Sequence, residues 1–181
     1  MAANWFVLAF VCFAVTGSNG QPGGYLLSQE SLNREKIIKI AQGQAGVREL
    51  TGHNDGQAVE SYLAVTGLGK GYAWCAAFVS WTYRMAGFAK PTSAWSPDLF
   101  PQSRITKSYL PGNVLGIYFP ELKRIAHAGI VIKQDGDWCI SVEGNTNVSG
   151  SREGDGVYIK RRHIRTIYRL ADWVKEGGRR L

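Results

Sequence analysis

The chain has 181 residues, 45% of them apolar and 19% charged, with a net charge of +7. That is enough for one ordinary domain with a real core, and it excludes a disordered or low-complexity chain. The excess of Lys and Arg favours anionic partners, yet no aromatic-interleaved basic motif marks a nucleic-acid module.

Residues 1–20 carry no charged side chain, and Trp5 to Val15 form an unbroken apolar run of eleven. A bilayer span takes about 20 residues, so the run reads as a secretory signal peptide, with Ser18 and Gly20 offering a cleavage site before Gln21, although no Lys or Arg precedes it. The expected location is secreted or periplasmic, without a stable membrane anchor. Residues 21–30 read as a short N-terminal segment, 31–175 as one domain and 176–181 as a basic tail.

Within the domain, Ile37, Ile38, Ile40, Ala41 and Ala45 predict a helix over Glu35–Ala45, closed by Gly46. Gly52-His53-Asn54-Asp55 lacks the spacing of a calcium loop and reads as a capping turn, with Asp55 the N-cap of a second helix through Val59, Tyr62 and Leu63 to Gly67. A glycine-rich turn, Gly67 to Gly71, leads into Trp74-Cys75-Ala76-Ala77-Phe78-Val79-Ser80, the start of a third helix that Gly87 ends. Lys90–Ser108, rich in Pro, Ser and aromatics, reads as a structured loop wrapping a cleft. Strands are expected at Val114–Phe119, Ala128–Ile132, Trp138–Glu143 and Val157–Lys160, with another near Ile167. Helices first and strands after is an α+β arrangement, with the N-terminal helices packed on an antiparallel sheet.

Cys75 opens its helix among unpaired N–H groups at the positive end of the helix dipole, which favours a thiolate. Such settings lower a thiol pKa from about 8.5 into the range of roughly 3.5–7.5. Taken alone, a cysteine there also reads as a small buried hydrophobe. His127 opens one strand, and Glu143, sixteen residues on, ends the next. Alternation puts His127, Gly129 and Val131 on one face and Cys139, Ser141 and Glu143 on one face, so antiparallel pairing makes His127 and Glu143 neighbours. A thiolate, a proton-shuttling base and an orienting acceptor are the parts of a cysteine nucleophile site.

Trp74-Cys75-Ala76-Ala77-Phe78-Val79-Ser80, Pro111-Gly112-Asn113-Val114, His127-Ala128-Gly129-Ile130-Val131 and Glu143-Gly144-Asn145 resemble, in that order, the CHAP family of cysteine/histidine-dependent amidohydrolases and peptidases, a branch of the papain-like superfamily. The resemblance spans roughly Ser31 to Tyr168. It departs at Asn113, where many members carry an aspartate. It implies a papain-like fold and a secreted peptidoglycan hydrolase that cuts an amide of the wall peptide, as N-acetylmuramoyl-L-alanine amidase or as endopeptidase. Cys75 would be the nucleophile, His127 the base, and Glu143 the group orienting the imidazole. Asn145 is the other candidate for that third role, and otherwise a second supporting or substrate contact. The Cys75 N–H would be one oxyanion donor. No cofactor or metal is implied, and a monomer is expected.

Once a leader is removed, Cys75 and Cys139 remain. A disulfide between them would block the nucleophile, so two free thiols are the expected state. A zinc site from Cys75, His127 and Cys139 lacks the short-spaced ligand pairs such sites use. Residues 159–181 hold eight Lys/Arg against Asp172 and Glu176, which reads either as a solvated face or as attraction to anionic cell-wall polymers. Tyr72, Trp74 and Trp95 are candidate platforms for substrate sugars or peptides, or else core aromatics. Two further readings are a wall-binding module without turnover and a cysteine acyl-transfer enzyme or protease acting on proteins.

Overall fold

The computed structural model describes residues 22–149 and 153–175, with side chains from residue 29 onward. The signal peptide expected at 1–20 and the tail at 176–181 lie outside the described residues. Three helices, α1 (Pro22–Gln42), α2 (Gln57–Ala64) and α3 (Cys75–Met85), precede six strands: β1 (Ile105–Thr106), β2 (Val114–Phe119), β3 (Arg124–Asp135), β4 (Trp138–Thr146), β5 (Gly156–His163) and β6 (Arg169–Ala171). The strands form one antiparallel sheet in the order β1-β6-β2-β3-β4-β5, and the helices pack on it, so the fold is α+β.

Alternation along the strands separates two cores. Val114, Ala128, Ile130 and Val142 meet Ile37, Tyr62, Leu63, Phe78 and Val79 of the helices in the main cluster. A smaller cluster holds Leu115, Val131, Cys139 and Leu170, covered by Tyr109, Ile117 and Ile167. Two glycines permit this closeness. A Cβ at Gly116 would lie 2.6 Å from the Phe100 ring, and one at Gly144 would lie 2.6 Å from Trp74 and 2.9 Å from Phe78.

The helices differ from expectation in ways with local causes. α1 begins at Pro22, inside the segment read as a short N-terminal stretch, and ends at Gln42 rather than Ala45. Pro suits a first helical position. Its buried stripe continues past Ile37 through Arg34, a charged residue that apolar periodicity does not register. Asp55 does not cap α2. Its carboxylate instead accepts from the Thr51 N–H and hydroxyl, and Glu60 reaches back to the Gly56 N–H at 3.3 Å. α3 closes as anticipated. The Gly87 N–H bonds the Arg84 carbonyl and the Phe88 N–H the Tyr83 carbonyl, with Phe88 packed edge-on to Tyr83. The 90–108 loop contains two short 3-10 turns and β1, which the sequence reading did not resolve from loop.

One buried ion pair ties α1 to the far end of the chain. Arg34 Nη2 meets Asp172 Oδ2 at 2.7 Å, and Nη1 donates to the Pro111 carbonyl and to Asn113 Oδ1. Asn113 also donates from Nδ2 to the Ser108 carbonyl at 2.8 Å. An aspartate could accept from Arg34 but could not make that second bond, which gives the asparagine a local physical use. Among the described residues, no helix is long and apolar enough to cross a membrane. Arg34 also donates from Nε and Nη2 to Glu30 Oε1 at 2.9 and 2.7 Å, so it keeps one carboxylate if Asp172 is removed. Asp172→Ala is therefore expected to lower the unfolding free energy by about 1.5–3 kcal/mol in urea titration, the loss of a hydrogen bond to a charged group.

Candidate active site

The N-terminus of α3 is fixed by its neighbours before Cys75 enters the chemistry. The Trp74 N–H donates to Asn145 Oδ1 at 3.1 Å, and the indole Nε1 to Glu49 Oε1 at 2.8 Å. The indole packs on Tyr62 and Phe78 over Gly144. This docks the helix start where β3 and β4 part. Their ladder runs from Asp135↔Trp138 to Ile130↔Val142 and goes no further toward His127. Cys75 is 4% exposed, and its Sγ lies 3.3 Å from Ser96 Oγ.

Continuing the ladder register sets Glu143 opposite Gly129, so the carboxylate reaches His127 diagonally. Glu143 Oε2 is 2.8 Å from His127 Nε2. Its Oε1 accepts from Ser141 Oγ at 2.6 Å and from Arg162 Nε at 2.7 Å, while Arg162 Nη2 donates to Oε2. The guanidinium thus grips the carboxylate with two donors. All of Glu143 is buried, and Gly129 makes room for it: a Cβ there would fall 2.5 Å from Glu143 Cγ.

The electrostatics follow from these contacts. Burial opposes charge on Glu143, but the Arg162 and His127 hydrogen bonds dominate and hold the carboxyl well below the usual carboxylate range. Burial likewise opposes a charged His127, yet the thiol and Glu143 raise it from 6.5 to about 9. For Cys75, burial would push the thiol up, and the imidazole, the Ser96 hydroxyl and the Ala128 N–H together pull it below its ordinary value. With Nε2 committed to Glu143, Nδ1 is the ring nitrogen left for the sulfur. It is buried, and the thiol acts on the ring both by hydrogen bonding and by charge, although no contact at Nδ1 meets full hydrogen-bond geometry. A thiolate beside an imidazolium is the form these contacts favour.

The structure brings Cys75, His127 and Glu143 together. Asn145 stands apart from the imidazole. Its backbone takes a left-handed φ of 54°, and its amide serves Trp74, Asn54 Oδ1 and the Gly154 carbonyl. Trp74 is fully buried, so its ring is core and not a platform for substrate. Tyr72 and Trp95 are exposed, and Trp95 carries the Arg124 guanidinium 3.9 Å above its ring. Cys75 and Cys139 are both free. Cys139 is pushed up to about 12 by burial and by the Glu143 charge.

Two residues at the site escaped the sequence reading. Ser96 carried no signal beyond lying in the loop. Arg162 was counted within the basic tail, but it is turned inward onto Glu143, so it does not contribute free charge to a polyanion surface. Lys160 is also engaged, on the Asn147 and Val148 carbonyls, and Arg161 covers the Trp138 ring at 3.8 Å. A cleft of about 790 Å³ opens beside the site, lined by Glu49, Asn54, Ala73, Asn145, Glu153 and Asp155 among others. Its wall stops at Ala73, two residues short of the thiol. Among the described residues, no cluster of three or more His, Cys, Asp or Glu is arranged to hold a metal ion.

No family model matches the chain, and no curated protein does. Among solved structures, that of Ly7917 is similar over 76% of this chain and 60% of that one, at 15% identity and a TM-score of 0.43. This chain therefore spans about three-fifths of the length of that structure.

Gly129→Ala should displace the Glu143 carboxylate from the ring. In an NMR titration the His127 imidazole is expected to fall from about 9 toward the ordinary histidine range, because a hydrogen bond and a charge that raise it are both lost.

Proposed function

We propose that the protein is an exported cysteine amidohydrolase of peptidoglycan, cutting an amide of the wall peptide as amidase or endopeptidase. The observation that carries this reading is the buried Cys75–His127–Glu143 constellation, with its thiol lowered and its imidazole raised. The sequence resemblance to the CHAP family supplies the substrate class. The leader-like N-terminus supports export, and no cofactor is required by the chemistry.

The steps use only these groups. The Cys75 thiolate adds to the amide carbonyl carbon, and the oxyanion falls toward the Cys75 N–H, a first-turn amide without an intrahelical acceptor. The His127 Nδ1 proton passes to the departing nitrogen, the C–N bond breaks and a thioester forms. The now neutral imidazole takes a proton from water, whose oxygen attacks the thioester. Collapse releases the carboxylic acid and restores the thiolate–imidazolium pair. Glu143 keeps its charge throughout, holding the ring by Nε2 and stabilising the imidazolium, while Arg162 keeps Glu143 ionised.

Digestion of purified peptidoglycan under reducing conditions, with mass analysis of products, tests the reading. Intact stem peptides released from the glycan indicate an amidase, and severed stems or bridges an endopeptidase. Cys75→Ala should abolish either product, His127→Ala should be nearly as damaging because the two act as a unit, and Cys139→Ala should be largely spared. Several wall types left untouched by wild type would overturn the reading.

The charge states also set a pH profile. The active pair needs Cys75 deprotonated and His127 protonated. Activity should rise with pH below the ordinary thiol range as the lowered thiol ionises, and decline as pH passes about 9, where His127 loses its proton. Iodoacetamide should alkylate Cys75 on the acid side of a free cysteine, while Cys139 stays unmodified, as peptide mapping would show.

A further inference from the structure

A second, smaller groove of about 250 Å³ lies on the opposite flank from the acidic cleft, lined by Pro97, Phe100, Tyr118, Arg124, Ile125, Tyr168 and Arg169. Its surface is not explained by packing. Tyr118 and Tyr168 are stacked at 4.8 Å with a 37° tilt, yet 37% and 53% exposed respectively, and Trp95 beside them is 50% exposed. Large aromatics left half in water and gathered together mark a binding surface more than a solvated face.

Two guanidiniums edge these rings. Arg124 lies 3.9 Å over Trp95, and Arg169 lies 5.4 Å from the Tyr168 centroid. Arg34, Arg48 and Arg162 are each paired with carboxylates. Neither Arg124 nor Arg169 ion-pairs with a carboxylate among the described residues, although Arg124 spends Nη1 on the Ile125 carbonyl at 3.1 Å. Stacking on a ring holds a guanidinium plane in place while leaving donors on its edge for a bidentate anion.

The groove shares its elements with the candidate site. Trp95 immediately precedes Ser96, whose hydroxyl touches Cys75 Sγ at 3.3 Å. Arg124 begins the strand that presents His127 three residues later, and Tyr118 faces Ile125 across β2 and β3. A ligand seated here would rest on the loop that carries Ser96 and on the strand that carries His127.

We infer that the groove of Tyr118, Arg124, Tyr168 and Arg169, flanked by Trp95 under the Arg124 guanidinium, binds an anionic saccharide unit, its ring faces on the aromatics and its carboxylate or phosphate on the guanidiniums. The aromatic faces suit the C–H faces of a sugar ring, and the two unpaired cations supply the charge complement. This draws on Arg169, one of the eight basic residues of 159–181, together with Arg124 from outside that stretch. Its placement of the sugar-bearing end of a substrate rests on the amidohydrolase reading; the binding itself does not.

The test measures binding by calorimetry to the Cys75→Ala protein, so that turnover plays no part. The probes are trigalacturonate, a phosphorylated trisaccharide, neutral chitotriose and triglutamate. Either anionic saccharide is expected to bind at least tenfold more tightly than chitotriose or triglutamate, and whichever of the two is tighter tells carboxylate from phosphate. Arg124→Gln with Arg169→Gln should weaken that binding at least tenfold, and the corresponding Lys pair should restore only part of it, because charge returns without the fork. Trp95→Ala should weaken it independently. Equal binding of triglutamate or chitotriose, or an unchanged affinity in the Gln pair with its thermal unfolding intact, would overturn the inference. Failure of peptidoglycan digestion alone would strike the hydrolase reading and leave this one standing.

Discussion

A carboxylate enclosed in a sheet needs its charge answered on every side, and Glu143 is answered by three groups. Ser141 and Arg162 hold one oxygen, and His127 and Arg162 hold the other. Burying a charge without such partners costs far more than a single hydrogen bond returns. The arrangement therefore ties together β3 through His127, β4 through Ser141 and β5 through Arg162, at the depth where those strands would otherwise be apolar. Gly129 is small for the same reason, since any side chain there would occupy the place of the carboxylate. The imidazole has one orientation left to it, with Nδ1 turned toward the sulfur.

The thiol reaches that ring because the β3–β4 ladder ends early. Where the strands part, Asn145 turns into a left-handed conformation and holds the Trp74 N–H, while Gly144 accepts the flank of α3. The helix start is thus hung from the strand that carries Glu143. Local structure and site geometry depend on each other here: a shift in β4 would move both the carboxylate and the amide that positions Cys75. Asn145 acts on the helix, and Glu143 on the histidine.

The helix opened by Cys75, the strand pattern and the facing parity of His127 and Glu143 were legible because they depend on periods of 3.6 and 2 that the side chains obey. The register was not, and register is what makes the Glu143–His127 contact diagonal and places Gly129 beneath the carboxylate. Arg162 was hidden by its company. It sits in a run of basic residues whose average suggests a solvated face, and only the β4–β5 pairing turns it inward. Trp74 shows the reverse, an aromatic beside Cys75 that serves the core and not a ligand. The early start of α1 escaped because its stripe continues through a buried arginine rather than an apolar residue.

The firm protonation of Cys139, walled in behind Glu143, has a bearing on how the protein ages in an oxidising medium. Peroxide attacks thiolates, so of the two sulfurs Cys75, pulled below its ordinary value, is the one expected to form a sulfenic acid first. Rescue of such a group requires a nearby thiolate to condense with it, and Cys139 is too buried and too firmly protonated to serve. Each oxidised molecule then depends on an external small thiol for its repair, or proceeds to the irreversible sulfinic state. With both cysteines free, the state of Cys75 then follows the thiol and peroxide content of its surroundings.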